Sequence, residues 1–178
     1  MKRILFLLLI LPALAYGQVG TASVYTAATP TVDATPYTAN DCLGGLVRFD
    51  FPKSNSFDRG YVTSLQILNT SSSPSSIEGT LYLFESEPTG GTLTNNSACR
   101  IATTDASKLI GKIAVASTSY TVATATGVNF VDTSVVPLNQ IYSSSANTGS
   151  IWGVFVVSNT PTLSGASTIR FRLGLTLY

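Results

Sequence analysis

The chain contains no histidine, and this absence removes the usual chemistry of several classes of enzyme. A Ser-His-Asp triad and a Cys-His pair both need an imidazole as the general base, and histidine is also the commonest metal ligand. The sequence also lacks a phosphate-binding glycine loop and cysteines at the spacing of a metal site. It therefore predicts a protein that is not an enzyme and that uses no cofactor and no metal ion.

Acidic residues offer two weaker alternatives to this interpretation. Glu85 and Glu87 lie two apart in a strand-like run, so their side chains would share a face, as a pair of glycosidase carboxylates requires. A solvated strand end before the turn at Pro88 is the favoured explanation of the same pattern. Four aspartates could supply oxygen ligands to calcium, but they lack the spacing of a calcium-binding loop. They are Asp33, Asp41, Asp50 and Asp58.

Charged residues are scarce, since Asp, Glu, Lys and Arg together make up 11% of the chain. The chain has ten basic and nine acidic residues, and the sequence contains no stripe of Lys or Arg. A nucleic-acid-binding protein needs such a stripe or patch to neutralise phosphates. The sequence therefore predicts no nucleic-acid partner.

The one long apolar run lies at the N-terminus. Two basic residues precede an apolar core over residues 4–11, and small residues follow up to Gly17. This order is typical of a secretory signal peptide, and Pro12 makes the run shorter than the roughly 20 residues of a membrane span. We therefore expect residues 1–17 to be a signal peptide that is cleaved before Gln18. The mature protein is then exported to the periplasm or the cell exterior and has no membrane contact.

Cysteine occurs only twice, at Cys42 and Cys99. Export would place both residues in an oxidising compartment, where a structural disulfide is favoured. Two buried free thiols are the alternative, because sequence alone does not show that the sulfurs meet. Pro30 and Pro36 disfavour a helix or an interior strand before the first cysteine. We therefore predict an extended N-terminal segment over residues 18–43, held in place where Cys42 bonds to Cys99.

Alternating apolar and polar residues predict strands along the rest of the chain. The main strands are predicted over residues 46–51, 60–68, 79–85, 150–158 and 167–176, with shorter ones in KIAVAS, SYTVAT and GVNFV. One short helix is predicted over Ala106–Ile110, with Gly111 as its end. So many strands with so little helix favour an all-β fold. We expect residues 44–178 to form an antiparallel, jelly-roll-like β-sandwich.

The order of four segments resembles a family of small tailed-phage proteins. The segments are TPTVDATPYTANDCLGGLVRF, GYVTSLQIL, LYLFESEPTGGTLTNNSACRIATTDASKLIGKIAV and IWGVFVVSNTPTLSGASTIRFRLGL. The resemblance spans roughly residues 28–176, and the order of the segments is more specific than any one of them. It implies a virion-associated structural component, such as a head decoration or fibre-base protein. The export signal and the cysteines are not part of the shared pattern.

Two functional hypotheses follow from the sequence. The first is a non-enzymatic, phage-type virion structural or decoration protein, located in the virion if a phage encodes it. Its expected partners are copies of itself, as a trimer, and capsid or other virion proteins. The second is an exported module that binds surface glycans or adheres to surfaces through exposed aromatic rings. The candidate rings also suit a protein core. They belong to Trp152, Tyr61, Tyr82 and Tyr142.

Overall fold

The computed structural model describes residues 22–51, 59–69, 76–123, 128–133, 141–143, 149–163 and 169–177. Twelve strands lie within these ranges, together with two 3₁₀ helices at Thr103–Lys108 and Ser117–Ser119. The strands are β1 (Ala22–Ala28), β2 (Cys42–Asp50), β3 (Arg59–Asn69), β4 (Gly79–Phe84), β5 (Gly91–Thr92), β6 (Arg100–Ile101), β7 (Leu109–Val115), β8 (Tyr120–Ala123), β9 (Val128–Thr133), β10 (Ile141–Ser143), β11 (Ser150–Val157) and β12 (Ile169–Leu177). The predicted signal peptide, residues 1–17, lies outside the described residues.

The strands form two main sheets and one small hairpin. The larger sheet has the order β1-β12-β3-β9-β8, with β10 also paired to β3. The smaller sheet has the order β2-β11-β4-β7, and β5 pairs with β6. All of these strand pairs are antiparallel. The predicted all-β sandwich of antiparallel sheets is thereby confirmed, whereas the jelly-roll connectivity stays a prediction.

Side chains from the inner faces of the two sheets form the main hydrophobic core. Phe155 of β11 stacks on Phe171 of β12, with 5.5 Å between the ring centroids, and this contact joins the two sheets. Alternate residues of each strand point inward, so the strand period of two places Val47 and Phe49 in the core and Arg48 outside it. Burial of each such aliphatic or aromatic side chain contributes about 1.5–3 kcal/mol to folding.

The N-terminal part of the sandwich differs from the sequence prediction. Residues Ala22–Ala28, within the predicted extended segment, form β1 and pair with β12 from Ala22 opposite Leu177 to Ala28 opposite Phe171. The sandwich therefore begins well before the predicted residue 44. Small side chains weaken the alternation of β1, and its partner strand lies at the far end of the chain. Residues 29–40 contain no strand, as expected for a lead-in to β2.

The predicted helix begins and ends earlier than expected. The structure has a 3₁₀ helix over Thr103–Lys108, and Leu109 already pairs with Phe84 of β4. Gly111, predicted to end the helix, lies within β7. Strand β7 thus includes Leu109 and Ile110, which the local sequence pattern assigned to a helix.

Cys42 and Cys99 form the predicted disulfide, with 4.9 Å between their Cα atoms. Disulfides form and persist in oxidising compartments, so this bond fits an exported or extracellular protein. Within the described ranges, no helix has the length and apolar character that crossing a membrane demands.

Candidate functional site

A long connection between β4 and β7 covers one outer face of the sandwich. We call residues 85–108 the arm. Three fully buried residues lie on the outer face of the smaller sheet, namely Phe84, Val154 and Cys42. The strand registers place them on a diagonal across three neighbouring strands. Leu93, Cys99 and Ile101 of the arm pack on this diagonal, so the smaller sheet has a second hydrophobic cluster outside the main core.

The tip of the arm is fixed to the start of β2 by several independent contacts. Besides the disulfide, the amide of Cys42 donates to the carbonyl of Ser97 at 2.9 Å, and the amide of Asn96 donates to the carbonyl of Cys42 at 2.9 Å. The amide of Cys99 also donates to the carbonyl of Asn40 at 2.8 Å. The tip therefore has a defined position on the sheet, which is unusual for a long loop.

Asp105 fixes the base of the arm. Its carboxylate is 1% exposed and accepts hydrogen bonds from the amides of Thr89 and Gly90, at 3.2 and 2.8 Å. The ammonium of Lys108 lies 2.7 Å from the same carboxylate. Lys108 and the Gly90 amide lower the pKa of Asp105 below its ordinary value of 3.8. The negative charge therefore holds the Thr89–Gly90 turn and the 3₁₀ helix together.

The aromatic residues predicted to form a binding platform lie on two different sheets. Trp152 and Tyr82 lie on the outer face of the smaller sheet, on opposite sides of the buried diagonal. Tyr61 lies in β3 of the larger sheet, and Tyr142 lies in β10, where its backbone pairs with Gly60. The structure thus divides the four residues between the two sheets, with Trp152 and Tyr82 on the smaller sheet and Tyr61 and Tyr142 on the larger one.

Trp152 instead forms a pair with a basic residue that the sequence did not single out. The Arg48 guanidinium lies 5.5 Å from the centroid of the Trp152 ring, because the two residues are directly opposite on β2 and β11. Arg48 Nε also lies 2.7 Å from the carboxylate of Asp50. The position of Arg48 between two apolar inward residues, Val47 and Phe49, was the sequence signal that marked it as outward-facing.

The outer face of the larger sheet carries a second pair of this kind. Tyr25 of β1 is 59% exposed, and the Arg172 guanidinium lies 4.3 Å from the centroid of its ring. The Tyr25 ring reaches across Gly174, where a Cβ would also overlap the hydroxyl of Ser64. Arg172 further donates from Nη1 to the side-chain oxygen of Gln66 at 3.4 Å. Sequence analysis did not select these residues, although the alternating RFR of β12 indicated outward arginines.

The described acidic residues do not form the catalytic pair or the calcium site that the sequence offered as alternatives. Strand β4 ends at Phe84, so Glu85 and Glu87 follow the strand and do not share one of its faces. Asp41 accepts hydrogen bonds from the amide and hydroxyl of Thr38, both at 2.8 Å. The described part of the chain contains no group of three His, Cys, Asp or Glu residues that could hold a metal ion. Asp58 lies outside the described residues.

Comparison of the chain with models of protein families, with curated proteins and with solved structures finds no match. The function must therefore be inferred from the two outer faces. The arm covers much of one of them, and the other presents Tyr25 with Arg172 and a further exposed arginine, Arg170.

Proposed function

We propose that the protein is a non-enzymatic structural component that acts by assembly with copies of itself and by presentation of a rigid surface. The assembly surface is the outer face of the larger sheet, centred on Tyr25 and Arg172. The resemblance of the sequence to tailed-phage proteins supports a role in a virion, with capsid or other virion proteins as further partners. A trimer is the expected assembly.

The exposed Tyr25–Arg172 pair is the observation that carries this proposal. Tyrosine and arginine are enriched among the residues that contribute most to protein interfaces. The Arg172 side chain is held in place by the Tyr25 ring and by Gln66, so less of its conformational freedom is lost on binding. Arg170, two residues earlier on the same strand, is also exposed on this face.

The fixed arm supports the second part of the proposal. A disulfide bonds the arm to β2, and Asp105 bonds the two ends of the arm to each other. These contacts fix the shape of the arm. Such a shape suits surface presentation, because a partner then binds without ordering a loop. The proposal includes export of the protein by an N-terminal signal peptide, residues 1–17. The Cys42–Cys99 disulfide is consistent with an exported location.

The glycan-binding hypothesis has less support from the geometry. A platform for sugar rings needs several aromatic side chains on one surface, and the four candidates are divided between two sheets. The Arg48 guanidinium also lies over the ring of Trp152. We therefore place assembly ahead of a multi-ring glycan platform.

Analytical ultracentrifugation of the purified mature chain tests the proposal. At tens of micromolar we expect a defined oligomer, with a trimer as the specific expectation, and binding to phage particles in a pull-down. A strictly monomeric chain that also fails to bind such particles would contradict the proposal.

A further inference from the structure

A small open cleft lies beside Arg48, at the edge of the smaller sheet. It has a volume of about 240 Å³ and lies between the lead-in after β1 and the first half of β2. Its walls come from Ala28–Thr31 on one side and from Gly44, Leu46, Val47 and Arg48 on the other. Arg48 is the charged residue of this lining.

A glycine bulge in β2 gives the cleft its shape. The register of β2 against β11 passes from Leu46 opposite Val154 to Leu43 opposite Phe155, so Gly44 and Gly45 have no partner on β11. Both glycines have a positive φ, of 73° and 70°.

The lead-in lies close to β2 at Gly44. A Cβ at Gly44 would overlap the side chain of Pro30, so a residue other than glycine would not allow this approach. Bulges of this kind often occur beside binding sites.

The Arg48 guanidinium is held in place while part of its donor edge stays open. Asp50 binds its Nε, and the Trp152 ring lies against the guanidinium. Within the described ranges, Nη1 and Nη2 make no hydrogen bond, although a guanidinium can donate two parallel hydrogen bonds to a carboxylate. The side chain of Arg48 is half exposed, so an anion can reach it from solvent.

We propose that this cleft binds the carboxylate of an acidic sugar, with Nη1 and Nη2 of Arg48 as its donors. The volume of the cleft is below the roughly 300 Å³ of sites for drug-sized ligands, so it suits a single sugar ring. Thr29 and Thr31, both exposed, line the opposite wall, and threonine hydroxyls can form hydrogen bonds with those of a sugar. The site goes beyond the proposed assembly, since it lies on the smaller sheet and needs no second copy of the chain.

Trp152 is the only tryptophan of the chain and its ring contacts the Arg48 guanidinium, so its fluorescence reports on changes at Arg48. The purified protein is titrated with sodium glucuronate, with sodium acetate, with glucose and with sodium chloride at matched ionic strength. We expect a saturable fluorescence change with glucuronate, a weaker response to acetate, and none with glucose or chloride. In amide NMR spectra, the resonances of Thr29, Thr31 and Gly44 should shift along the same titration curve.

Arg48→Gln and Lys112→Gln form a matched pair of variants, because each removes one exposed cation of the smaller sheet and only Arg48 lines the cleft. Loss of a charge-assisted hydrogen bond should weaken glucuronate binding about tenfold or more in Arg48→Gln and leave it unchanged in Lys112→Gln. No saturable response, an equal response to glucose, or equal binding by both variants would overturn the site. Equal affinity for acetate and glucuronate would overturn its assignment to a sugar. These titrations are independent of the oligomeric state, which ultracentrifugation measures separately.

Discussion

The hydroxyl of Tyr37 donates a hydrogen bond of 2.8 Å to the side-chain oxygen of Asn95, which lies 58 residues later in the chain. The same oxygen accepts a bond of 2.7 Å from the amide of Gly44, and the Tyr37 oxygen accepts one of 3.0 Å from the amide of Asp33. One tyrosine thus joins the lead-in to the arm. Because Tyr37 is fully buried, desolvation raises its pKa above the ordinary value of 10.0.

Tyr37→Phe should lower the free energy of unfolding by about 1–2 kcal/mol, because the variant removes both hydrogen bonds of the hydroxyl and leaves the ring in place. Urea unfolding followed by circular dichroism measures the change. Tyr25→Phe is the matched control, since Tyr25 is 59% exposed and its hydroxyl leaves no buried group unpaired. Equal stability of the wild type and the Tyr37→Phe variant would contradict the role of this hydroxyl.

The disulfide should stabilise the fold by about 4 kcal/mol, as expected for closing a loop of 57 residues in the unfolded chain. A Cys42→Ala, Cys99→Ala double variant is expected to lose up to this amount in denaturant unfolding, with the backbone hydrogen bonds around Cys42 retained. Hydrogen exchange should speed up mainly in residues 85–108. Mass spectrometry provides the control, and two free thiols in the unreduced mature protein would refute the pairing.

Asp105 should make the base of the arm sensitive to acid. Its pKa is lower in the folded protein than in the unfolded chain, where it is near 3.8, so its stabilising effect is complete above that value. The stabilising effect is lost as the pH falls from about 3.8 towards the lower pKa that Asp105 has in the folded protein. The stability difference between the wild type and Asp105→Asn should therefore be smaller at about pH 3 than at about pH 6 in urea unfolding. Ser107→Ala changes an exposed neutral side chain of the same 3₁₀ helix and is the control, so its effect on stability should not vary with pH. A difference that stays constant with pH would argue against the assignment.

The long strands could be predicted from the sequence because each carries its own alternation. Residues 46–51 and 60–68 read as strands from local pattern alone, and β2 and β3 cover them almost entirely. Strand β1 could not be predicted in this way. Its inward residues include Thr26 and Ala28, which give a weak hydrophobic signal, and its pairing depends on β12 at the other end of the chain. A short stretch of sequence does not show which distant strand it pairs with.

The candidate sites were less predictable than the strands, for two physical reasons. Phe84 and Val154 face away from the main core, and residues of the arm cover them. The sequence could not show that the arm provides this cover, since that depends on the path of residues 85–108. Nor could it show that Arg48 lies over Trp152, because this contact depends on the register of β2 against β11.

The central claim is that the outer face of the larger sheet mediates assembly, and charge reversal at one residue tests it most directly. Sedimentation velocity should be measured for the wild type, Arg172→Glu and Lys112→Glu at tens of micromolar. Lys112 is an exposed cation on the smaller sheet, so its reversal changes net charge equally without altering the proposed interface. We predict the same oligomer for the wild type and Lys112→Glu, and a shift to monomer for Arg172→Glu with its circular dichroism unchanged. An Arg172→Glu variant that sediments like the wild type would contradict the claim.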